Sequence, residues 1–337
     1  ADMSGRARID VLKQAAKDLI DTATAAAPSG SRLKFGYVPF SMNVNIGTTN
    51  TSYVSDVNHS LFAGTSWAGC VLERAPPNHI TTNYSPGMKW QAYINPPETS
   101  NSACVNRGNG TNAGYGQVDP NIPGSYSALT KGPNYNCVRH PMRALSSDAN
   151  TVKSQIDTLT AEFNDCTILS PGVTWAARLL TPDAPFPGAD PFSAGVKKIL
   201  VMLTDGAQTT EKRGTDCNDT TNGWGTPYSF DPSRFKLAGR AVGPRGPRDF
   251  FGPYGYLYDS DPLGYGYTSY SQVDSSLDRL AISTCDYVKG LGIEIFSVAV
   301  SASAGPGTSV YDTLRNCASD PQHFFHATDE AGMRAAF

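Results

Sequence analysis

The stretch KKILVMLTDGAQTT, residues 197–210, constrains the fold more than any other part of the chain. Five apolar residues in a row, Ile199 to Leu203, run directly into a polar turn at Asp205. A run this short, apolar on both of its alternating faces, reads as a strand buried on both sides. Its surroundings point the same way. Residues 7–27 carry Ile9, Leu12, Ala16, Leu19, Ile20 and Ala23 at helical spacing, and Pro28 and Gly30 end the pattern. Arg32–Phe40 alternates as a strand through Leu33, Phe35 and Tyr37. Helices are expected over Asp148–Phe163, Gly172–Leu180 and 273–290, a strand over Ile293–Val300, a short helix over Val310–Asn316, a short strand at His323–Phe325 and a last helix from Asp329. Strands alternating with helices predict an α/β fold with a mostly parallel sheet covered by helices on both faces.

Two irregular regions interrupt that order. Residues 41–146 and 207–270 are rich in Gly, Pro, Asn and aromatics, and both are too long for ordinary loops, so they read as insertions in one domain spanning 1–337. Trp67, Trp90, Trp224 and the tyrosines at 254, 256, 258, 265, 267 and 270 in these regions either form a recognition surface or pack small local cores. A net charge of −3 offers no basic field for nucleic acid or anionic lipid, and no run approaches the ~20 apolar residues of a membrane span. No signal peptide is visible in the sequence, and an anchor or signal ahead of Ala1 is left open. The seven cysteines contain no C-x-x-C pair, and five of them lie in loop-like sequence, which favours disulfides and an exported protein over metal ligation. Cys285 sits in the helix that feeds strand 293–300 and Cys317 closes the short helix after it, so this pair is the expected bridge; two buried thiols are the alternative.

In open α/β sheets, ligands bind outside the carboxyl ends of the strands. Asp205 lies just past such an end, and Asp2 with Ser4 lies just ahead of a helix, where a first strand would end. Carboxylate and hydroxyl oxygens gathered there suit a hard divalent cation, Mg²⁺ or Mn²⁺, or Ca²⁺ in a roomier site.

The sequence resembles the von Willebrand factor A domain, and more closely the TadG-type proteins of bacterial tight-adherence (Flp) pilus assembly. The resemblance rests on DMSG with RIDVLKQAAKDLID, KFGYVPFSMNVNIG, SWAGCVLER, CTILSPGVTWAARLLTP, KKILVMLTDGAQTT, TCDYVKGLGIEIFSVAV and LRNCASDPQHFFHATDEAGMRAAF, in that order. It implies a Rossmann-like sheet and a metal ion held by an Asp-x-Ser-x-Ser turn, a Thr from a second loop and an Asp from a third, with an open position for a partner's carboxylate. Asp2 and Ser4 match the first two ligand positions, Thr167 matches the threonine by its spacing to Gly172 and Trp175, and Asp205 matches the last. Arg6 stands where the second serine belongs, and a short segment of the family pattern between Gly5 and Arg6 has no counterpart.

Each residue also has a plainer role open to it. Asp2 and Ser4 are good helix caps, Thr167 is an ordinary loop residue, and Asp205–Gly206 is a common turn. The sequence holds no G-x-S-x-G elbow, no H-E-x-x-H and no paired glycosidase-like carboxylates, so a non-enzymatic binding module is expected. The resemblance implies an exported pilus-system protein of the periplasm or bacterial surface that engages pilus or secretion-system components through its metal. A surface adhesin binding a host ligand directly is the alternative from the same chemistry, and a metal-dependent hydrolase is the outlier.

Overall fold

The computed structural model describes residues 8–57, 66–93, 134, 137–161, 166–182, 185–186, 188–204, 207–209, 252–255, 257, 261–267, 271–300, 304–328 and 332. In chain order the elements are α1 (Arg8–Ala26), β1 (Phe35–Tyr37), β2 (Val54–Ser55), β3 (Val71–Leu72), β4 (Trp90–Ala92), β5 (Arg143–Ser146), α2 (Ala149–Asp157), α3 (Leu169–Leu180), β6 (Ile199–Thr204), α4 (Ser271–Gly290), β7 (Glu294–Val300), α5 (Ser309–Cys317) and β8 (Phe324–Ala327).

The apolar run at 199–203 becomes β6, which pairs in parallel with β7 from Ile199↔Glu294 to Thr204↔Ala299. β8 pairs in parallel on the other side of β7, from Ser297↔Phe324 to Val300↔Ala327. Alternate residues of these strands face opposite layers. On one face Val298, Val300 and Ala327 pack with Val11 and Ala15 of α1, and Leu203 joins them. On the other, Leu200, Met202, Ile295 and Ala299 pack with Leu169, Val173 and Ala177 of α3, Ala281, Cys285 and Val288 of α4, and Val310, Leu314 and Cys317 of α5. Helices therefore cover both faces of the parallel strands. Fully burying one such Val, Leu or Ile side chain contributes about 1.5–3 kcal/mol relative to leaving it exposed.

α3 is apolar nearly all round, so both of its sides need cover. Its far side carries Trp175 and Leu179, which pack with Val44, Ile46, Val54, Val71, Trp90 and Ala92. These residues surround a second sheet of order β2-β4-β3, in which β2 runs parallel and β3 antiparallel to β4. β3 alternates between two clusters: Val71 faces α3, and Leu72 joins Ala68, Cys70, Tyr93, Cys137 and Val138.

Four expectations are corrected. The strand expected over Arg32–Phe40 is limited to Phe35–Tyr37 and pairs antiparallel with β5, outside the parallel sheet, because Phe35 and Tyr37 pack on the seam of Ile20, Val152 and Ile156 between α1 and α2. Parallel order is confined to β6, β7 and β8 and the β2-β4 pair among the described residues. α2 stops at Asp157 instead of continuing to Phe163, since tertiary partners claim the backbone beyond it: Lys13 Nζ donates to the Leu159 carbonyl and the Thr160 amide donates to His140. α3 starts at Leu169, earlier than Gly172, with Pro171 in its first turn, where a missing N–H leaves no intrahelical bond unmade. The helix expected from Asp329 falls almost wholly outside the described residues.

Disulfides join Cys285 to Cys317, tying α4 to α5 across 32 residues, and Cys70 to Cys137 across 67 residues. Cys166 is buried with Met42, Ile168 and Tyr254, whereas Cys104 and Cys217 lie outside the described residues.

Candidate functional site

β6 ends at Thr204, itself buried, and Asp205 is the next residue in sequence. Asp205, Asp2 and Ser4 lie outside the described residues; Thr167 lies within them and is half-buried. The chain that follows β6 meets the Thr167 loop directly. The Thr209 amide donates to the Thr167 carbonyl at 3.0 Å, an isolated antiparallel bridge between the two segments. Thr167 is thereby fixed beside a residue four positions after Asp205. α1 brings its first turns to the same end of the sheet, because Val11 packs with Val298 and Val300 in the carboxyl half of β7.

The loop around Thr167 is held from several sides. The Ile168 amide donates to the Ser41 carbonyl at 2.9 Å, so the start of the first irregular region braces the loop from another direction. Helix α3 begins one residue later with free amides to satisfy. Its N-cap position is Ile168, which has no side-chain acceptor to offer. Gln208 takes over that role from a distance of 39 residues: its Oε1 accepts from the Leu169 amide at 3.0 Å, and its Nε2 donates to Asp278 Oδ1 at 2.9 Å. Burial raises the Asp278 carboxyl above its usual range, against the opposing hydrogen bonds of Gln208, Thr313 and Ser309, and nearby Asp274 reinforces the rise. In the first turn of α3, Ser170 Oγ lies 2.7 Å from Thr284 Oγ1 and accepts from Tyr254 at 3.0 Å. Burial drives the Tyr254 phenol well above its usual range.

Among the described residues no group of three or more His, Cys, Asp or Glu side chains is placed to hold a metal ion. Thr167 offers one neutral hydroxyl oxygen, a donor that suits a hard divalent cation when carboxylates complete the set. Asp278 is not one of those carboxylates in this arrangement, since it is engaged by Gln208 and by the hydroxyls of α5.

A second polar centre, not anticipated from the sequence, lies between α3 and the β2-β4-β3 sheet. Arg178 and Glu73 form a fully buried ion pair: Nη2 donates to Oε2 at 3.0 Å and Nη1 to Oε1 at 3.2 Å. Trp175 Nε1 also donates to Glu73 Oε1, at 2.6 Å. The Arg178 guanidinium lies over Trp175 and Trp90, at 4.5 and 4.9 Å from their ring centres, and Arg74 lies over the same Trp90 at 4.5 Å. Burial, and then the charge of Arg178, lower the Arg74 guanidinium to about 10. The Glu73 amide donates to the Pro253 carbonyl, so this centre joins α3 to pieces of both irregular regions. The aromatics here are core: Trp67, Trp90, Tyr93 and Tyr254 are buried. Trp224, Tyr256, Tyr258 and Tyr270 lie outside the described residues. One signal in the sequence marked Arg178, the single charged residue in LSPGVTWAARLL. Gln208 carried no signal, because it falls in a region without periodicity.

The chain matches no protein-family model and no curated protein. Among solved structures it is similar to the pilus adhesin SpaC from Lactobacillus rhamnosus GG, with 18% identity and a TM-score of 0.32 over 60% of this chain and 22% of SpaC. The open conformation of SpaC gives 13% identity and a TM-score of 0.29, over 58% of this chain and 21% of that one. The vWF domain of the type V pili tip protein Mfa5 from Porphyromonas gingivalis gives 17% identity and a TM-score of 0.33, over 58% of this chain and 73% of that domain. The matched region thus spans about a fifth of SpaC, and the architecture described above rests on this chain's own strand order and register.

Proposed function

We propose that this chain is an exported binding protein of a bacterial tight-adherence pilus system, in which a von Willebrand A-like domain engages a protein partner through a divalent cation, Mg²⁺ foremost. The observation that carries the reading is the bridge between Thr167 and Thr209, which sets the expected threonine beside the segment that follows the expected aspartate. The parallel order of β6, β7 and β8 supports it, since such sheets bind ligands beyond the carboxyl ends of their strands. The two disulfides support export, because bridges persist in oxidising compartments. Asp2, Ser4, Thr167 and Asp205 are the residues that would hold the ion. When bound, it offers an open coordination position to a carboxylate of the partner. On this reading the role of the chain itself is to fix the donors and keep that position facing outward.

Calorimetric titration of the purified chain with MgCl₂ tests the reading, paired with thermal unfolding. An ion bound only by the folded state stabilises it by about 2.7 kcal/mol at a hundredfold excess over Kd. Asp205→Ala is expected to abolish both the heat of binding and the shift in Tm, and Thr167→Ala to weaken them. Wild-type protein that takes up no Mg²⁺, Mn²⁺ or Ca²⁺, or an Asp205→Ala variant that binds as wild type does, overturns the proposal. Capture of pilin subunits in Mg²⁺ and their release by EDTA is the expected partner result.

A further inference from the structure

We infer that Gln208 and Asp278 are positioning residues for the proposed cation site, together holding the Thr167 loop and the segment after β6 in one fixed relation. The inference rests on the reading above and deepens it.

Residues 207–209 and 166–169 meet in an isolated antiparallel bridge, Thr209 to Thr167, rather than in a ladder of paired strands. An isolated bridge leaves the relative rotation of two irregular segments less determined than a strand ladder would. Gln208 supplies the missing constraint. Its side chain spans from the Leu169 amide at the start of α3 to the Asp278 carboxylate on α4, and it is 3% exposed, so water does not compete for either contact. The two contacts are directional and opposite in sense, an acceptor toward Leu169 and a donor toward Asp278, so the amide has one orientation that satisfies both. Asp278 is braced in turn by Ser309 and Thr313 of α5, and α5 is tied to α4 by the Cys285–Cys317 bridge. The loop bearing Thr167 is therefore referenced, through one glutamine, to a rigid pair of helices. Glutamine is suited to this where Glu is not: a carboxylate at the same place would accept from Leu169 but repel Asp278. Groups that orient metal ligands without touching the ion typically change its affinity by roughly 10–100-fold when removed.

The test compares wild type with Gln208→Ala, Gln208→Glu and the double variant Gln208→Glu/Asp278→Asn. Two quantities are read: Mg²⁺ affinity by calorimetry, and hydrogen exchange at the Leu169 and Thr209 amides in metal-free protein. Gln208→Ala and Gln208→Glu are expected to speed exchange at both amides and to weaken Mg²⁺ by about tenfold or more. The double variant is expected to restore both, because the introduced carboxylate still accepts from Leu169 and the introduced asparagine now donates to it. A glutamine that only filled space would lower stability in the single variants without rescue by the exchange of partners. Unchanged Thr209 exchange and unchanged Mg²⁺ affinity in Gln208→Ala overturn the inference. If wild type takes up no cation, the proposed function fails and the role at a cation site falls with it, while the exchange data still decide whether Gln208 and Asp278 hold the two segments: faster Thr209 exchange in Gln208→Ala with recovery in the double variant sustains that, and exchange equal to wild type removes it.

Discussion

Replacing Glu73 by Gln probes the seam between α3 and the β2-β4-β3 sheet with the smallest change in shape. The native carboxylate receives three donors, Trp175 at 2.6 Å and the two Arg178 nitrogens at 3.2 and 3.0 Å, with the side chain 1% exposed. An amide of the same size keeps one oxygen for those donors and turns an N–H group toward the guanidinium. Arg178, whose side chain is fully buried, then retains the Thr81 carbonyl as an acceptor but has lost its counter-charge, with the like charge of Arg74 close by. Leaving one member of a buried pair uncompensated costs about 3–5 kcal/mol. Urea unfolding with the disulfides intact, followed by tryptophan fluorescence, is expected to show that loss as a lower midpoint at unchanged slope. The double variant Glu73→Leu/Arg178→Met removes both charges, and its loss should fall short of the summed single losses by at least about 2 kcal/mol. A Glu73→Gln protein within about 1 kcal/mol of wild type would refute the view that the ion pair, rather than the surrounding aromatic packing, holds this seam.

Three further outcomes are expected. Replacing Cys285 and Cys317 together by Ala should lower unfolding stability by about 3 to 4 kcal/mol, the chain-entropy value for their 32-residue separation, as read by chemical unfolding under oxidising conditions. Gly172→Ala should destabilise despite the better helix propensity of Ala, because a Cβ there would lie 2.7 Å from the Phe40 ring; a raised Tm would contradict this. The folded-state carboxyl of Asp278 lies above its unfolded value through burial, so its contribution to stability is complete below the ordinary carboxylate range and declines as pH rises through the raised value. Asp278→Asn should therefore gain on wild type in Tm as pH is raised from about 4 toward neutrality, and a constant difference across that range would contradict it.

Local pattern was enough to reveal the parallel unit, because each of its strands and helices buries a continuous apolar face and periodicity reports burial directly. Ile199–Leu203, the stretch 293–300 and the helices at 8–26 and 271–290 were legible for that reason, and the pairing of Cys285 with Cys317 followed from the order of those elements. The same periodicity could not show where β1 pairs, since an alternating strand of three residues fits any edge and the seam formed by Ile20, Val152 and Ile156 decided the matter. Nor could it show Glu73, Arg178, Gln208 or Asp278 as partners. Each is a single polar residue whose environment is made by segments 39 to 105 residues away, and polar contacts over such separations leave no repeat in the chain. Thr167 shows the division most clearly. The sequence supplied its chemistry and its place ahead of α3, but only the folded chain set it against Thr209, because that contact depends on where β6 delivers the chain after leaving the sheet.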